Sequence, residues 1–248
     1  MSLPPDIAEA LGGTAERLTW YDSVPSTNDL ALRAAERGAA AWSVVAADQQ
    51  TAGRGRLGRT WASPRHSGLY VSVILRPAST APLLTIAAGV ALADAIERAT
   101  GLAPTLKWPN DLQVNGRKLG GILAEAGAGH VVIGFGINLL PAAFPPEIAA
   151  RATSIEGELG RGVDRGQLLA ECLSALRSSV GSVEHGEHGR IVDAWRRRAQ
   201  PTMNRAVEWQ GDGGRLRGTA EDIDADGALL VRTASGRERI ISGEVQWM

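Results

Sequence analysis

An apolar run at Ser43–Ala47 leads into Gly53-Arg54-Gly55-Arg56-Leu57-Gly58, and the residues just after this loop constrain the fold more than any other stretch. The spacing G-x-G-x-x-G after a strand marks a dinucleotide-binding turn only if a helix opens on the last glycine, so that its N-terminus can hold a pyrophosphate. Here the next segment is Thr60–Gly68, TWASPRHSG, carrying Pro64 and Gly68, and Leu69–Leu75 then reads as a strand. No helix fits, and no acidic residue stands where a ribose contact belongs. The sequence therefore excludes a Rossmann turn here. A protein-kinase glycine loop is excluded as well, because no H-R-D or D-F-G lies downstream. What remains is a glycine loop carrying Arg54, Arg56 and Arg59. Guanidinium forks of this kind bind phosphate or carboxylate oxygens. The competing reading is a solvated basic turn or a nucleic-acid contact.

Charge narrows that choice. The chain of 248 residues has a net charge of −1, which argues against a surface built to bind nucleic acid or anionic membrane. Any phosphate chemistry must come from local cations. Of the 26 Lys and Arg residues only Lys107 and Lys118 are lysine, and an ammonium is not equivalent to a guanidinium at a tight anionic site. Hydrophobic content of 44% with 21% charged residues is ordinary for a globular chain. Cys172 is the single cysteine, so no intrachain disulfide can form. The N-terminal MSLPPDIAEALGG shows no signal peptide, and no apolar stretch is long enough to span a bilayer. These features lead us to expect a cytoplasmic protein.

Local patterns supply the elements. Arg17–Val24 reads as a strand after a short opening segment. Ser26–Gly38 reads as a helix, with Ser26 and Asp29 in capping-box spacing and Gly38 as the stop. Pro82–Thr100 has the length and periodicity of a buried helix ended by Gly101. Leu106–Trp108 runs into a Pro109–Asp111 turn. Leu112–Val114 and Lys118–Ala124 flank Asn115-Gly116, a strong two-residue hairpin signal. His130–Leu139 reads as a further strand, and helices are expected around Arg165–Val183 and Arg190–Ala199. Beyond Pro201 short strands alternate with turn signals at Gly211–Gly214, Asp226-Gly227 and Ser235-Gly236, the pattern of a small β-barrel-like unit. The class expected is α+β, with a domain boundary near Ala199–Thr202.

Several segments together carry a family resemblance. Gln50–Trp61, QTAGRGRLGRTW, matches Q-x-A-G-R-G-R-x-G-R-x-W at every fixed position and resembles the biotinyl-adenylate loop of biotin–protein ligases. Ser26-Thr27-Asn28 resembles the S-T-N triplet of that family, which contacts the ureido ring of biotin, and serves equally well as a helix cap. Lys107-Trp108-Pro109-Asn110-Asp111 matches K-W-P-N-D, locally a strand end entering a turn. Arg117–Leu123, RKLGGIL, resembles R-K-[LV]-x-G-I-L, and Gly134–Asn138, GFGIN, resembles G-x-G-[IL]-N. The resemblance runs from about Leu18 to the C-terminus, and Val207–Val245 looks like the family's SH3-like terminal domain.

The resemblance implies a mixed, mainly antiparallel sheet with helices, similar to class II aminoacyl-tRNA synthetases, over residues 1–200, and an SH3-like β-barrel over 201–248. It implies activation of biotin by ATP and Mg²⁺ to biotinyl-5′-AMP, then transfer to a lysine of a biotin carboxyl carrier domain. On it, Ser26, Thr27, Asn28, Gln50, Gly53, Gly55 and Gly134 bind biotin together with Arg54, Arg56 and Lys118. Arg56, Arg59, Trp61, Lys107, Asn110 and Asn138 bind ATP and the adenylate. Lys118, Arg54 and Arg56 stabilise charge at phosphorus, and Asp111 orients or deprotonates the incoming lysine. Mg²⁺ is expected with ATP, not in a protein-only metal site.

Some relatives carry an N-terminal DNA-binding region, but too few residues precede Leu18 to hold its three helices, so a ligase without repressor function is expected, with no nucleic-acid or membrane partner. Pairing of sheet edges into a homodimer stays open. His185 and His188 lie in a Gly/Glu-rich linker without further ligands, and Cys172 fits an apolar helical face. Two rivals remain: a lipoate–protein ligase or octanoyl transferase, and a non-catalytic regulator that holds the adenylate. The first needs a different glycine-loop signature and, for octanoyl transfer, a catalytic cysteine.

Overall fold

The computed structural model describes residues 3–12, 17–77, 81–141, 145, 147–211 and 214–248. Seven strands form the larger sheet: β1 Leu18–Tyr21, β2 Val44–Ala47, β3 Gly68–Leu75, β4 Thr105–Lys107, β5 Asp111–Val114, β6 Arg117–Gly127 and β7 His130–Asn138. Their order is β1-β2-β3-β7-β6-β5-β4. Only β1 and β2 run parallel; every other neighbouring pair is antiparallel. The expected α+β class, with a mixed and mainly antiparallel sheet, is what the chain adopts.

The central strands β3 and β7 are buried along their whole length, so both faces must be covered. On one face lies helix α2, Thr27–Glu36, whose Ala31 and Ala35 pack on Val45, Ile74 and Val132. On the other lie α1 Pro5–Leu11, α3 Ala81–Thr100, α5 Arg165–Glu184 and α6 His188–Ala199. Leu83, Leu84, Ile86, Leu92 and Ile96 of α3 are almost wholly buried there, each such side chain contributing about 1.5–3 kcal/mol. Cys172 on α5 is fully buried in this core, which pushes its thiol pKa up and away from nucleophilic use.

Local signals explain the elements that position the site. The Ser26 hydroxyl caps α2 by accepting from the Asp29 amide, and Gly38 just past its end has positive φ, as the spacing suggested. Asn115 and Gly116 both have positive φ and close the β5–β6 hairpin. Three short elements lie outside the sequence-based expectation: α1, α4 Ile155–Leu159 and β12 Val245–Trp247. The strand expected at Arg17–Val24 is shorter, but Val24 still bridges to Gln50 in parallel.

Beyond α6 a second sheet is formed by β8 Ala206–Gly211, β9 Gly214–Ile223, β10 Leu229–Thr233, β11 Gly236–Ile240 and β12. Its order is β11-β10-β9-β8-β12, antiparallel throughout, and no pairing joins β11 to β12 among the described residues. It is a small five-stranded antiparallel sheet, not a closed barrel. Half of the turn expected at Gly211–Gly214 lies outside the described residues. The smaller sheet shares its core with the larger unit, since Val207, Trp209, Leu229 and Val231 join the same buried cluster as Ile86 and Trp108.

Candidate active site

Parallel pairing of β1 with β2 brings two distant motifs together. Beyond the strands, Val24 bridges Gln50, the Thr51 amide donates to the Val24 carbonyl at 2.9 Å, and the Ala52 amide donates to the Pro25 carbonyl at 2.9 Å. The start of α2 and the start of the glycine loop are thereby laid side by side. The Thr27 amide and hydroxyl both donate to Gln50 Oε1, at 2.9 and 3.1 Å, while Gln50 Nε2 donates to Ser63 Oγ at 2.8 Å. Ser72, fully buried on β3, donates to Asn28 Oδ1 at 2.6 Å, with Thr27 Oγ1 2.9 Å from the same hydroxyl. Asn28 Nδ2 continues the chain to Glu125 at 2.8 Å. Polar groups this deep must be satisfied, and their rigidity follows from that satisfaction.

Glycines form the floor. A methyl group at Gly134 would lie 2.0 Å from Asn28 Oδ1, and one at Gly136 would lie 2.4 Å from Trp61 Nε1. The bare backbone of β7 therefore admits the Asn28 amide and the Trp61 indole, whose Nε1 is buried without a partner among the described residues. Around this floor Ser26, Thr27, Asn28, Gln50, Arg54 and Lys118 help to line one open cleft.

The loop itself is a closed hairpin. Arg54 bridges Thr60, the Gly55 amide donates to Arg59 at 2.7 Å, and a single 3-10 turn spans Arg56–Gly58. No helix opens on Gly58, as the Pro64 segment requires. Arg54 places its fork on both oxygens of Glu125, at 2.9 and 2.7 Å, and reaches Asp29 at 2.6 Å. The Glu125 hydrogen bond, with both carboxylate charges, raises the Arg54 pKa.

Lys118 owes its direction to a β-bulge. Along β5–β6, Leu112 pairs with Gly120 but Gln113 pairs with Lys118, leaving Leu119 as the extra residue. Leu119 enters the core, while Lys118 falls on the same face as Gly121, where a methyl group would sit 3.4 Å from Lys118 Cε. Without the bulge, alternation would aim Lys118 to the opposite face. Its ammonium lies 2.6 Å from Asp111 and 5.3 Å from the Trp61 ring centroid.

A second cavity of about 560 Å³ begins at Lys118 and Asn110, which line both. Arg56, Arg59, Lys107 and Lys118 face Asp111 and Glu244 across it, so cations outnumber carboxylates. Burial depresses the Lys107 pKa; Asp111 opposes this, and the charges of Arg205, Lys118 and Arg59 add to the depression. Burial likewise depresses Arg56, with Asp111 opposing and Arg59 adding. A cavity whose cations repel one another in this way favours a polyanion. The C-terminal sheet supplies its far wall: Glu244 pairs with Arg59, the Gly243 carbonyl accepts from Arg56 at 3.3 Å, and Lys107 lies 5.7 Å over the Trp247 ring.

Most of the residues singled out from sequence converge on these two cavities. Gly134 and Trp61 line the first, and Asn110 lines both. Gly53, Gly55 and Asn138 line neither. Gly53 is packed under the loop, where a methyl group would meet the Trp61 carbonyl at 2.4 Å. The Asn138 amide donates to the Thr153 carbonyl at 3.1 Å and the Lys118 carbonyl at 3.5 Å. Sequence reasoning passed over Ser72, Glu125 and Glu244. A serine inside the apolar run LYVSVIL was the available signal for the first. Nothing local marks Glu244, 185 positions from Arg59.

Comparisons with known proteins agree with this geometry. Residues 20–138 match the model of the biotin/lipoate A/B protein ligase family, and residues 202–248 match the biotin protein ligase C terminal domain. The chain is 36% identical over 235 residues to the biotin–[acetyl-CoA-carboxylase] ligase of Paracoccus denitrificans, covering 89% of this chain and 96% of that protein. It is 35% identical over 245 residues to the bifunctional ligase/repressor BirA of Bacillus subtilis, covering 93% of this chain and 74% of that protein. The structure of the biotin protein ligase from Aquifex aeolicus in complex with biotin and ATP superposes with a TM-score of 0.80 at 29% identity, covering 94% of this chain and 99% of that one. With the sequence match spanning both sheets and the motif residues gathered at one cleft, the chain belongs to the biotin protein ligase family.

Proposed function

We propose that the protein activates biotin with ATP to biotinyl-5′-AMP and transfers the biotinyl group to a lysine of a biotin carboxyl carrier domain. The observation that supports this most is that Lys118 lines both the glycine-floored cleft and the cationic cavity. A carboxylate bound in the first and a triphosphate bound in the second would meet at its ammonium. Biotin's ring system would take the cleft, its polar head against Ser26, Thr27 and Asn28, with Gln50, Gly53, Gly55 and Gly134 shaping the pocket. The adenylate would extend past Trp61 and Asn110, with Arg56, Arg59 and Lys107 toward the phosphates and Asn138 toward the adenine.

In the first step the biotin carboxylate attacks the α-phosphorus and pyrophosphate leaves. A carboxylate is already ionised near neutral pH, so the step needs alignment and charge neutralisation, not a base. Lys118, Arg54 and Arg56 suit that role. In the second step the carrier lysine attacks the mixed anhydride, forming the amide and releasing AMP. That amine must lose a proton, and Asp111, beside Lys118 in the cationic cavity, is the carboxylate positioned to orient or accept it. No cluster of three or more metal-ligating side chains occurs among the described residues. Mg²⁺ would arrive on the ATP phosphates, with Asp111 and Glu244 the carboxylates lining that cavity, and would supply further charge neutralisation.

Within this reading, residues 1–200 form a synthetase-like catalytic domain, and residues 201–248, which carry the five-stranded sheet, form an SH3-like domain. No described helix is long and apolar enough to cross a membrane, and a cytoplasmic location is part of the proposal. The deciding experiment is ATP–pyrophosphate exchange with biotin, lipoate or octanoate supplied in turn. Exchange with biotin alone supports the proposal. Exchange with lipoate or octanoate would reassign the substrate, and no exchange with any acid would leave an adenylate-binding regulator.

A further inference from the structure

Lys118 stands where the larger sheet loses a strand. β7 ends at Asn138 and its last paired residue on β6 is Gly120, opposite Ile137. Beyond that point the backbone of Lys118 would lack a neighbour on the β7 side. The segment Arg151–Thr153 fills the gap: Lys118 N donates to the Arg151 carbonyl at 2.8 Å, and Thr153 N donates to the Lys118 carbonyl at 2.9 Å, in a parallel bridge to Ala152. This short segment belongs to no strand of its own, so something else must hold it.

One hold is the Asn138 amide on the Thr153 carbonyl, and the Arg151 and Ala152 amides bond back to the Ile148 carbonyl; the hold that also reaches the β5–β6 hairpin is a carboxylate on α4. Glu158, with a side chain only 7% exposed, accepts from Arg117 at 2.6 Å, from Asn115 Nδ2 at 2.8 Å and from the Thr153 hydroxyl. One buried anion thus ties the residue before Lys118, the hairpin tip and the bridging segment together. Charge-assisted hydrogen bonds of this kind are the strong ones, and three on one carboxylate fix its partners relative to one another. Glu158 itself lines neither cavity.

We infer that Glu158 is a positioning residue for the first chemical step, acting on the Lys118 ammonium through the Arg117 and Thr153 contacts. The inference rests on the proposed role of Lys118 in that step. An ångström of misplacement at a reacting group can cost about a hundredfold in rate. Glu158→Gln keeps the shape but removes the charge on which Arg117 sits, and its N–H₂ must face a donor, either Asn115 or the Arg117–Thr153 pair.

The test is biotin-dependent ATP–pyrophosphate exchange in wild type, Glu158→Gln, Lys118→Arg and the double variant. Expected is a loss of about tenfold or more in kcat for Glu158→Gln, with KM for biotin within about twofold of wild type, because the biotin head would lie at the far end of the cleft. Against Lys118→Arg the same substitution should change kcat by less than about twofold, since the interaction is already lost. A merely structural role predicts losses that multiply in the double variant; that result, or an unchanged kcat in Glu158→Gln, overturns the inference. If Glu158→Gln does not fold, Thr153→Val, which deletes one donor at constant shape, is read by the same outcomes. Wild type that shows no exchange with biotin would overturn the reading of the site, whereas active wild type with an unaffected variant removes only Glu158.

Discussion

At the scale of single residues, the cleft is built from side chains that no room is left to replace. Lys118→Ala should cut biotin-dependent pyrophosphate exchange roughly a hundredfold or more, the usual cost of removing a charge-stabilising donor, while leaving the thermal midpoint near wild type. Near-normal exchange would end its proposed role. Gly134→Ala should act on binding instead. Its methyl group would lie 2.0 Å from Asn28 Oδ1, breaking buried hydrogen bonds worth about 1–3 kcal/mol. That corresponds to a rise in biotin KM of about fivefold to a hundredfold, measurable by steady-state kinetics; an unchanged KM would show that Asn28 does not hold the biotin head. Lys107 gives a pH signature. Its pKa lies below the ordinary value of 10.5, chiefly through burial, so its charge is lost earlier than on an exposed lysine as pH rises. KM for ATP should climb on that alkaline limb, and Lys107→Arg, which stays charged, should flatten it; an identical limb in both proteins would count against a phosphate contact. These residues were legible in the sequence because they sit in short contiguous motifs. Ser72, Glu125, Glu158 and Glu244 were not, since each acts through a partner far away along the chain.

At the scale of elements, legibility followed length and local chemistry. Helix α2 was readable from Ser26 and Asp29, and the β5–β6 hairpin from Asn115-Gly116, because a cap and a positive-φ turn are local events. Helix α4 has five residues and β12 three, too few for a periodic pattern to show. The bulge at Leu119 depends on the register between two strands and leaves no mark in either one alone. The glycine loop illustrates the same divide: its ligand-gripping composition is local, its fastening is not. Arg54 ties it to Glu125 and Asp29, and Arg59 to Glu244, while Leu57 at its tip is 63% exposed. Such a loop, without buried apolar contacts at its tip, should open locally. Trypsin should cut after Arg56 or Arg59, and biotin with ATP should slow that cleavage severalfold by stabilising the closed form. Cleavage at the same rate with and without both ligands would show that the loop does not close on the adenylate.

At the scale of the whole molecule, two sheets share one core, and the site uses both. Composition change beyond Pro201 suggested a separate unit, yet Ile86 and Trp108 of the larger part pack in the same cluster as Val207 and Leu229 of the smaller. Trp108 stitches them directly: it is buried, and its indole nitrogen donates to the Gly227 carbonyl at 2.9 Å. Arg196 adds a fork onto Asp222 at 2.7 and 2.8 Å, but that pair is partly exposed and contributes little. Shared apolar burial, with the Trp108 contact, should make the two sheets unfold together, so that differential scanning calorimetry shows one transition. Trp108→Phe keeps most of the apolar contact and removes the donor, costing about 1 kcal/mol, which for a chain of this size lowers Tm by about 2–4 °C. The same substitution leaves Lys107 and Asn110 in the sequence but loosens the wall that carries Gly243 and Glu244, so KM for ATP should rise while KM for biotin, whose cleft borders only the larger sheet, stays near wild type. Two resolved transitions in the wild-type protein, or an unmoved Tm in the variant, would show that the smaller sheet is only tethered to the site and not part of it.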